Sequence, residues 1–391
     1  MTEVFLCAHR RTPIGRYAGA LAQVRPDDLA TRVIDGLLDL HDLPVDEVIF
    51  GCANQAGEDN RNVARMATLL SRLGPTVPGL TVNRLCASGL DAVIASARVI
   101  RDGAADVIIA GGVESMSRAP FVMPKSETAF ARAPEIFDTT IGWRFIHPRM
   151  AQVWGAEAMP ETAENLAADH AISREDQDRY AFLSQSRYDA QWHAADILPV
   201  TIPSRKGDTV VSTDEHPRLT SLEKLATLPA PFRKPGTVTA GNASGVNDGA
   251  AAVLLASAEA VRKHHLTPLA RLGAGASGAV EPRIMGIGPV EAARRLAART
   301  GRAAQDHDVI ELNEAFAAQV LACTRAWGMA DDDPRLNAYG GAIAMGDPLG
   351  MSGARLAGTA ARRLAESGGK SALVSLCVGV GQGVALELLP A

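Results

Sequence analysis

The sequence predicts an α/β protein built from two similar halves on a covered sheet, with a different segment inserted between them. Three observations carry this. Short apolar, β-rich runs alternate with Ala-rich stretches at helical spacing. One pattern of strand, loop, Asn-containing turn, long helix, Gly-bearing turn and strand occurs twice. The segment at roughly residues 118–235 resembles neither copy.

In chain order, residues 48–50 and 107–110 read as buried strands, and residues 309–312 and 372–376 likewise. Residues 28–40, 90–100 and 354–364 carry apolar side chains at helical spacing. The first copy of the repeat runs from VDEVIFGCANQ to VNRLCASGLDAVIASARVIRDGAADVIIAGGVES. The second runs from HDVIELNEAFAAQ to the long glycine-rich stretch that ends in SLCVGVGQG. So long a period means a duplicated domain, not a solenoid. The expected division is 1–117 with 236–268 as the first half, 118–235 as a cap and 269–391 as the second half. Within the cap, residues 173–194 read as one polar helix. The run KGDTVVSTDEHPRL reads as a hairpin with an exposed loop.

Composition removes several function classes. The chain has 391 residues, which at roughly 150 per domain suits two or three domains or one duplicated domain. With 47% hydrophobic and 21% charged residues, a disordered chain is excluded. A formal net charge of -5 makes it a poor general binder of nucleic acid. Aromatics at 4% are too few for base-stacking platforms. The five cysteines, Cys7, Cys52, Cys86, Cys323 and Cys377, form no CxxC pair, so reduced thiols in a cytoplasmic setting are expected. No secretory leader and no apolar run of about 18 residues is read, so no membrane span is expected. No His/Cys/carboxylate set shows metal-ligand spacing, and His264–His265 reads as a helix end.

Residues 273–278 spell GAGASG, a formal match to the dinucleotide fingerprint. That motif must close a strand and open a helix. AVEPRIMGIGP follows instead, so a glycine-rich strand and bend is the better reading and a nicotinamide dehydrogenase the poorer one.

Cys86 is the strongest single candidate. It precedes a long amphipathic helix, where the positive end of the dipole favours a thiolate. A lone cysteine is more often buried filler, but the strand–turn–Cys–helix setting raises the functional reading above that. Cys377 lies in SLCVGVGQG, whose glycines suit backbone N–H groups that point into an oxyanion hole. A glycine-rich turn with a space-filling Cys is the alternative. Asn313 follows a strand and can orient a water or cap a helix. GNASGVNDGAA can receive a polar ligand or form a tight loop with Asx turns.

Taken in order, NRLCASG, GGVESMSRAP, TAGNASGVNDGAA, NEAFA, GxPLGxSGAR and CVGVGQG resemble the motifs of the thiolases, the acetyl-CoA C-acyltransferases, over essentially the whole chain. GCANQAGEDNRNVARMA and DTTIGWRF resemble the 3-oxoadipyl-CoA branch, which ends aromatic degradation through β-ketoadipate. The resemblance implies two βαβαβαββ halves in a five-layer α/β/α/β/α core with an inserted loop domain. It implies a homotetramer, a dimer of dimers, with acyl-CoA and coenzyme A as substrates and no bound cofactor. Acetoacetyl-CoA is an alternative substrate.

By the same resemblance, Cys86 would be acylated and Cys377 would move the protons. Asn313 would hold a water in one oxyanion hole. The N–H groups of Cys86 and Gly379 would form the other. Ser244, Met159, Phe232, Ala240 and Ala315 would line the pantetheine tunnel, with Arg218 near the nucleotide. Arg144 or Arg149 could meet a distal carboxylate, although the reading as plain surface charges is slightly preferred.

One motif departs from the family pattern GHPxG. Here Gly346 is followed by Asp347. A carboxylate beside Cys86 would raise the thiol pKa and oppose a developing enolate. Asp347 has three readings: a laboratory His→Asp change, a natural change with reduced or altered chemistry, or a protonated hydrogen-bond donor. The otherwise intact motifs favour an engineered or recent change in a working framework. A disabled acyl-CoA-binding protein is the competing outcome.

Overall fold

Strands buried on both faces frame this computed structural model, which describes residues 2–391. The first half contributes β1 (Val4–Arg11), β2 (Glu47–Gly51), β3 (Gly79–Val82), β4 (Val107–Ser115) and β5 (Asn247–Ser257). The second contributes β6 (Ala270–Ala279), β7 (Val309–Leu312), β8 (Ala372–Val378) and β9 (Gln382–Leu389). The strand order is β7-β8-β9-β6-β1-β5-β4-β2-β3.

The pairing repeats between halves. β1–β5 and β5–β4 are antiparallel and β4–β2 is parallel. Likewise β6–β9 and β9–β8 are antiparallel and β8–β7 is parallel. A short antiparallel contact, Phe5 with Arg271 and Leu6 with Ala270, joins the halves. Each half therefore covers a sheet whose central strands must be apolar on both faces. β4 and β5 are buried along their whole lengths.

The helices that matter here are α1 (Pro26–Leu38), α2 (Val63–Leu70), α3 (Ser88–Arg101), α4 (Met159–Asp169), α5 (Arg174–Arg187), α6 (Gly288–Thr300), α7 (Ala317–Ala326) and α8 (Leu349–Ser367). α1 and α2 cover the outer face of the first sheet, where Leu29, Val33 and Ala64 meet Phe50, Ile109 and Leu254. α6 and α7 cover the outer face of the second, where Leu296 and Leu321 meet Leu312 and Leu373. Between the sheets, Leu90 and Val93 of α3 and Leu356 and Ala360 of α8 share one core with both. The layers thus run helix, sheet, helix, sheet, helix, as the resemblance implied.

The middle helices approach through glycine. A Cβ on Gly89 would lie 2.5 Å from the Gly350 carbonyl oxygen, and one on Gly353 would lie 2.2 Å from the Leu90 nitrogen. One on Gly112 of β4 would lie 1.9 Å from the same Gly350 oxygen. These obstacles are backbone and cannot rotate away. Gly112→Ala should therefore lower stability by about 1–3 kcal/mol, read from urea unfolding. An unchanged midpoint would refute this close packing.

Residues 173–194 are not one helix. α5 ends at Arg187, and a new helix, Ala190–Ala194, starts because the Asp189 carboxylate accepts from the N–H groups of Gln191 and Trp192. The hairpin pairs Val200–Ile202 with Thr209–Val211. The chain beyond it turns inward, because Asp214 forms an enclosed ion pair with Arg11 at 2.6 Å. Residues 273–278 lie inside β6, where the Gly278 position touches the α6 backbone at Ala292. No helix opens on that run, so the dinucleotide reading fails and the close-approach reading holds.

Candidate active site

The site lies where α3 and α8 bring their N-terminal ends together. Cys86 occupies a short 3-10 turn, Leu85–Ala87, directly before α3. The turn is pinned locally. Leu85 has φ 47, its N–H donates to Asn83 Oδ1 at 2.9 Å, and Ser88 Oγ donates to its carbonyl at 2.6 Å. Left-handed backbone at a leucine is strained, and the surrounding bonds hold it there. Asp347 lies just before α8, and its N–H donates to Asn247 Oδ1 at 3.0 Å. Cys377 lies in β8, opposite Gly383 of β9.

Cys86 is half-buried on the wall of a cavity of about 480 Å³. Leu85, Met159, Gly379, Val380 and Leu349 line the cavity beside it. The backbone N–H of Gly379 favours the charged form of its sulfur. Further along lie Asn54, Glu114, Thr139, Trp143, Arg144 and Phe145. The volume suits a small-molecule ligand.

The electrostatics differ from the helix-dipole expectation. Burial and then the nearby charge of Asp347 push the Cys86 thiol up to about 12, despite the Gly379 N–H. The dipole at the start of α3 is outweighed because the sulfur is desolvated and faces a carboxylate. Cys377 is raised well above the ordinary thiol range, by burial first and then by Cys86. Asp347 is itself raised by burial, while Ser352, Asn313 and Ser244 favour its charged form. Its Oδ1 accepts from Ser352 Oγ and its Oδ2 accepts from Asn313 Nδ2 at 3.2 Å.

Asn313 is therefore not a helix cap. Its N–H donates to the Ser375 carbonyl at 2.9 Å, and its buried Oδ1 has no protein partner. Glu314 beside it accepts from Tyr180, Ser184, Asn337 and the Ile343 N–H, which fixes the NEAFA turn. Ser244 is joined to that turn. Its N–H and Oγ donate to the Ala315 carbonyl at 3.0 and 3.1 Å. Met159, Ala315 and Cys377 share one apolar cluster.

The structure thus gathers Cys86, Cys377, Asp347, Asn313, Gly379, Ser244, Met159 and Ala315. It leaves Phe232, Ala240 and Arg218 on the surface, with Arg218 Nη2 donating to the Ala240 carbonyl at 2.9 Å. Arg149 is exposed and outside the cavity, whereas Arg144 lines it. Sequence reasoning missed Glu114, which GGVESMSRAP already contained. Buried, it accepts from the N–H groups of Ala53, Asn54 and Gly350 at 2.8–3.0 Å, tying the cavity wall to α8. Burial pushes its carboxyl up to about 7. Glu114, Cys52 and Asp59 also converge within 4.8 Å, a grouping that linear spacing hides. Protein partners already engage all three: Cys52 Sγ donates to the Asn54 carbonyl at 3.0 Å, and Asp59 accepts from the Gly57 N–H at 2.9 Å.

Residues 4–259 match the thiolase N-terminal domain and residues 266–389 the thiolase C-terminal domain. The chain is 57% identical to the β-ketoadipyl-CoA thiolase of Pseudomonas putida, over 99% of each chain. It is 56% identical to the 3-oxoadipyl-CoA/3-oxo-5,6-dehydrosuberyl-CoA thiolase of Escherichia coli K12, again over 99% of each. The crystal structure of human mitochondrial 3-ketoacyl-CoA thiolase in complex with CoA superimposes with a TM-score of 0.90 at 38% identity. The match covers 100% of this chain and 98% of that one.

Proposed function

Because the chain belongs to the thiolase family and is an enzyme of the acyl-transfer class, we propose that it cleaves 3-oxoadipyl-CoA with coenzyme A, giving succinyl-CoA and acetyl-CoA. The observation that carries this is the cavity that ends on Cys86, with Asp347 near enough to raise its thiol, Cys377 near enough to be raised by it, and the Gly379 N–H favouring its thiolate.

Cys86 enters the cycle as its thiolate, having lost its proton to solvent, attacks the 3-oxo carbon, and leaves again as thiolate when the succinyl group departs. The bond from that carbon to C2 then breaks, and the acetyl-CoA enolate takes a proton from Cys377. Coenzyme A releases the succinyl group from Cys86, and its thiol proton returns to Cys377. An acyl-thioester divides the reaction into two easier steps. The N–H groups of Cys86 and Gly379 stabilise one oxyanion. Asn313 holds a water at the other, a role that its unpaired buried Oδ1 supports. Ser244, Met159, Ala315, Phe232 and Ala240 guide the pantetheine arm, with Arg218 at the nucleotide end.

Asp347 lowers the rate in this account, because its charge opposes both the thiolate and the enolate. No resident cofactor is required. The enzyme acts in the cytoplasm as a dimer of dimers, and light scattering tests that assembly. Five free thiols support the compartment, and no described helix is long and apolar enough to cross a membrane. The division into 1–117 with 236–268, 118–235 and 269–391 accompanies this reading.

The test is steady-state thiolysis, followed as acetyl-CoA formed on addition of coenzyme A. The chain should turn over 3-oxoadipyl-CoA, and Cys86→Ala should lose at least about 10³-fold. Coenzyme A binding without any turnover would identify a disabled binder instead.

A further inference from the structure

We infer that Arg144, held by Asn54, is the specificity-determining residue that receives the terminal carboxylate of a dicarboxylic acyl group attached to Cys86. This rests on the acyl-transfer reading above and adds which end of the acyl chain is recognised, and by what.

Arg144 is the one cationic side chain among the residues that line the cavity shared with Cys86. Among the described residues it forms no ion pair. Its single hydrogen bond runs from Nη2 to Asn54 Oδ1 at 3.1 Å. Nε and Nη1 remain available to a ligand, and a guanidinium presents such donors as a planar fork that fits a carboxylate.

The mounting is rigid. Asn54 Nδ2 donates to the Thr139 carbonyl at 3.2 Å and to Thr139 Oγ1 at 3.1 Å, which fixes the amide with its oxygen towards Arg144. The Asn54 N–H donates to Glu114 at 3.0 Å. On the other side, Trp143 Nε1 donates to the Glu157 carbonyl at 3.1 Å and anchors the loop that carries Arg144. Glu114 shares the cavity but accepts three backbone N–H groups and lies outside ion-pair distance of Arg144. The cation is thus positioned, partly desolvated and not neutralised by a protein partner.

A second observation is independent of these bonds. The two stretches that set this chain's branch resemblance apart, GCANQAGEDNRN and DTTIGWRF, are distant in sequence. They meet in space at the Asn54–Thr139–Arg144 contacts. The branch-marking residues therefore build the wall that faces the acyl chain.

The experiment compares succinyl-CoA with butyryl-CoA, which has the same acyl length and no carboxylate. Binding is measured by calorimetry on the full chain carrying Cys86→Ala, so that no acyl transfer occurs. Succinyl-CoA should bind more tightly. Adding Arg144→Gln should weaken succinyl-CoA about 10–10²-fold, the size of a charge-assisted contact, and butyryl-CoA less than about threefold. Arg144→Lys should restore part of the loss, because the charge returns without the fork. Equal binding of the two ligands, or an equal loss of both in Arg144→Gln, overturns the inference and leaves the thiolase reading standing. If neither ligand binds, the thiolase reading fails and the inference falls with it.

Discussion

Asp347→His should raise thiolysis of 3-oxoadipyl-CoA by about 10²–10³-fold, the usual worth of one oxyanion donor. By the resemblance to the motif GHPxG, Asp347 stands at the place of the histidine. Its carboxyl is buried, accepts from Ser352 and Asn313, and raises both active-site thiols by its charge. A neutral imidazole N–H would donate to the enolate oxygen and take a proton from Cys86. Asp347→Asn separates the two contributions. It removes the charge but supplies no base, so its gain should be smaller than that of the histidine variant. If the chain with Asp347 already runs as fast as Asp347→His, the carboxyl acts as a neutral donor and the electrostatic argument is wrong.

The second large effect is on Cys86, the proposed nucleophile. With its thiol pushed up to about 12, Cys86 should react with iodoacetamide at a rate that climbs about tenfold per pH unit from 7 towards 11. The sign follows from the thiolate being the reactive form. Lowering the pKa moves the climb to lower pH and speeds reaction at neutrality. Asp347→Asn should speed alkylation at pH 8 by about 10-fold or more, since a like charge within reach shifts a pKa by one to three units. Burial, the larger cause, remains in the variant, so the thiol should stay above its ordinary value. The labelled peptide should be the one that contains Cys86, because Cys7, Cys52, Cys323 and Cys377 are all buried. A flat pH profile, or one unchanged by Asp347→Asn, would remove the like-charge account.

The frame was readable because its causes are local. β4 and β5 each carry an unbroken run of apolar and glycine residues, 107–113 and 249–256, and α3 and α8 carry helical spacing, so strand and helix separate by period. The turn that carries Cys86 is legible because a turn before a long helix is a local signal. The break at Tyr188 was missed because one carboxylate, Asp189, outcompetes a continuous polar helix there. The charge of Asp347 beside Cys86 is legible in the sequence, whereas burial, the larger cause of the raised thiol, is a property of the fold. Glu114 looked like an ordinary strand residue until β4 placed it against the Ala53, Asn54 and Gly350 amides. Between Arg144 and Arg149 the sequence offered no choice. Asn54, 90 positions away, makes it by bonding Arg144.

The most direct test of acyl transfer through Cys86 is rapid quenching of the chain with 3-oxoadipyl-CoA in the absence of added coenzyme A, followed by peptide mass spectrometry. The account predicts acetyl-CoA in solution and one succinyl group on the Cys86 peptide, formed faster in Asp347→His and absent in Cys86→Ala. Acetyl-CoA released with Cys86 unmodified, or the succinyl group found on the Cys377 peptide, would contradict it.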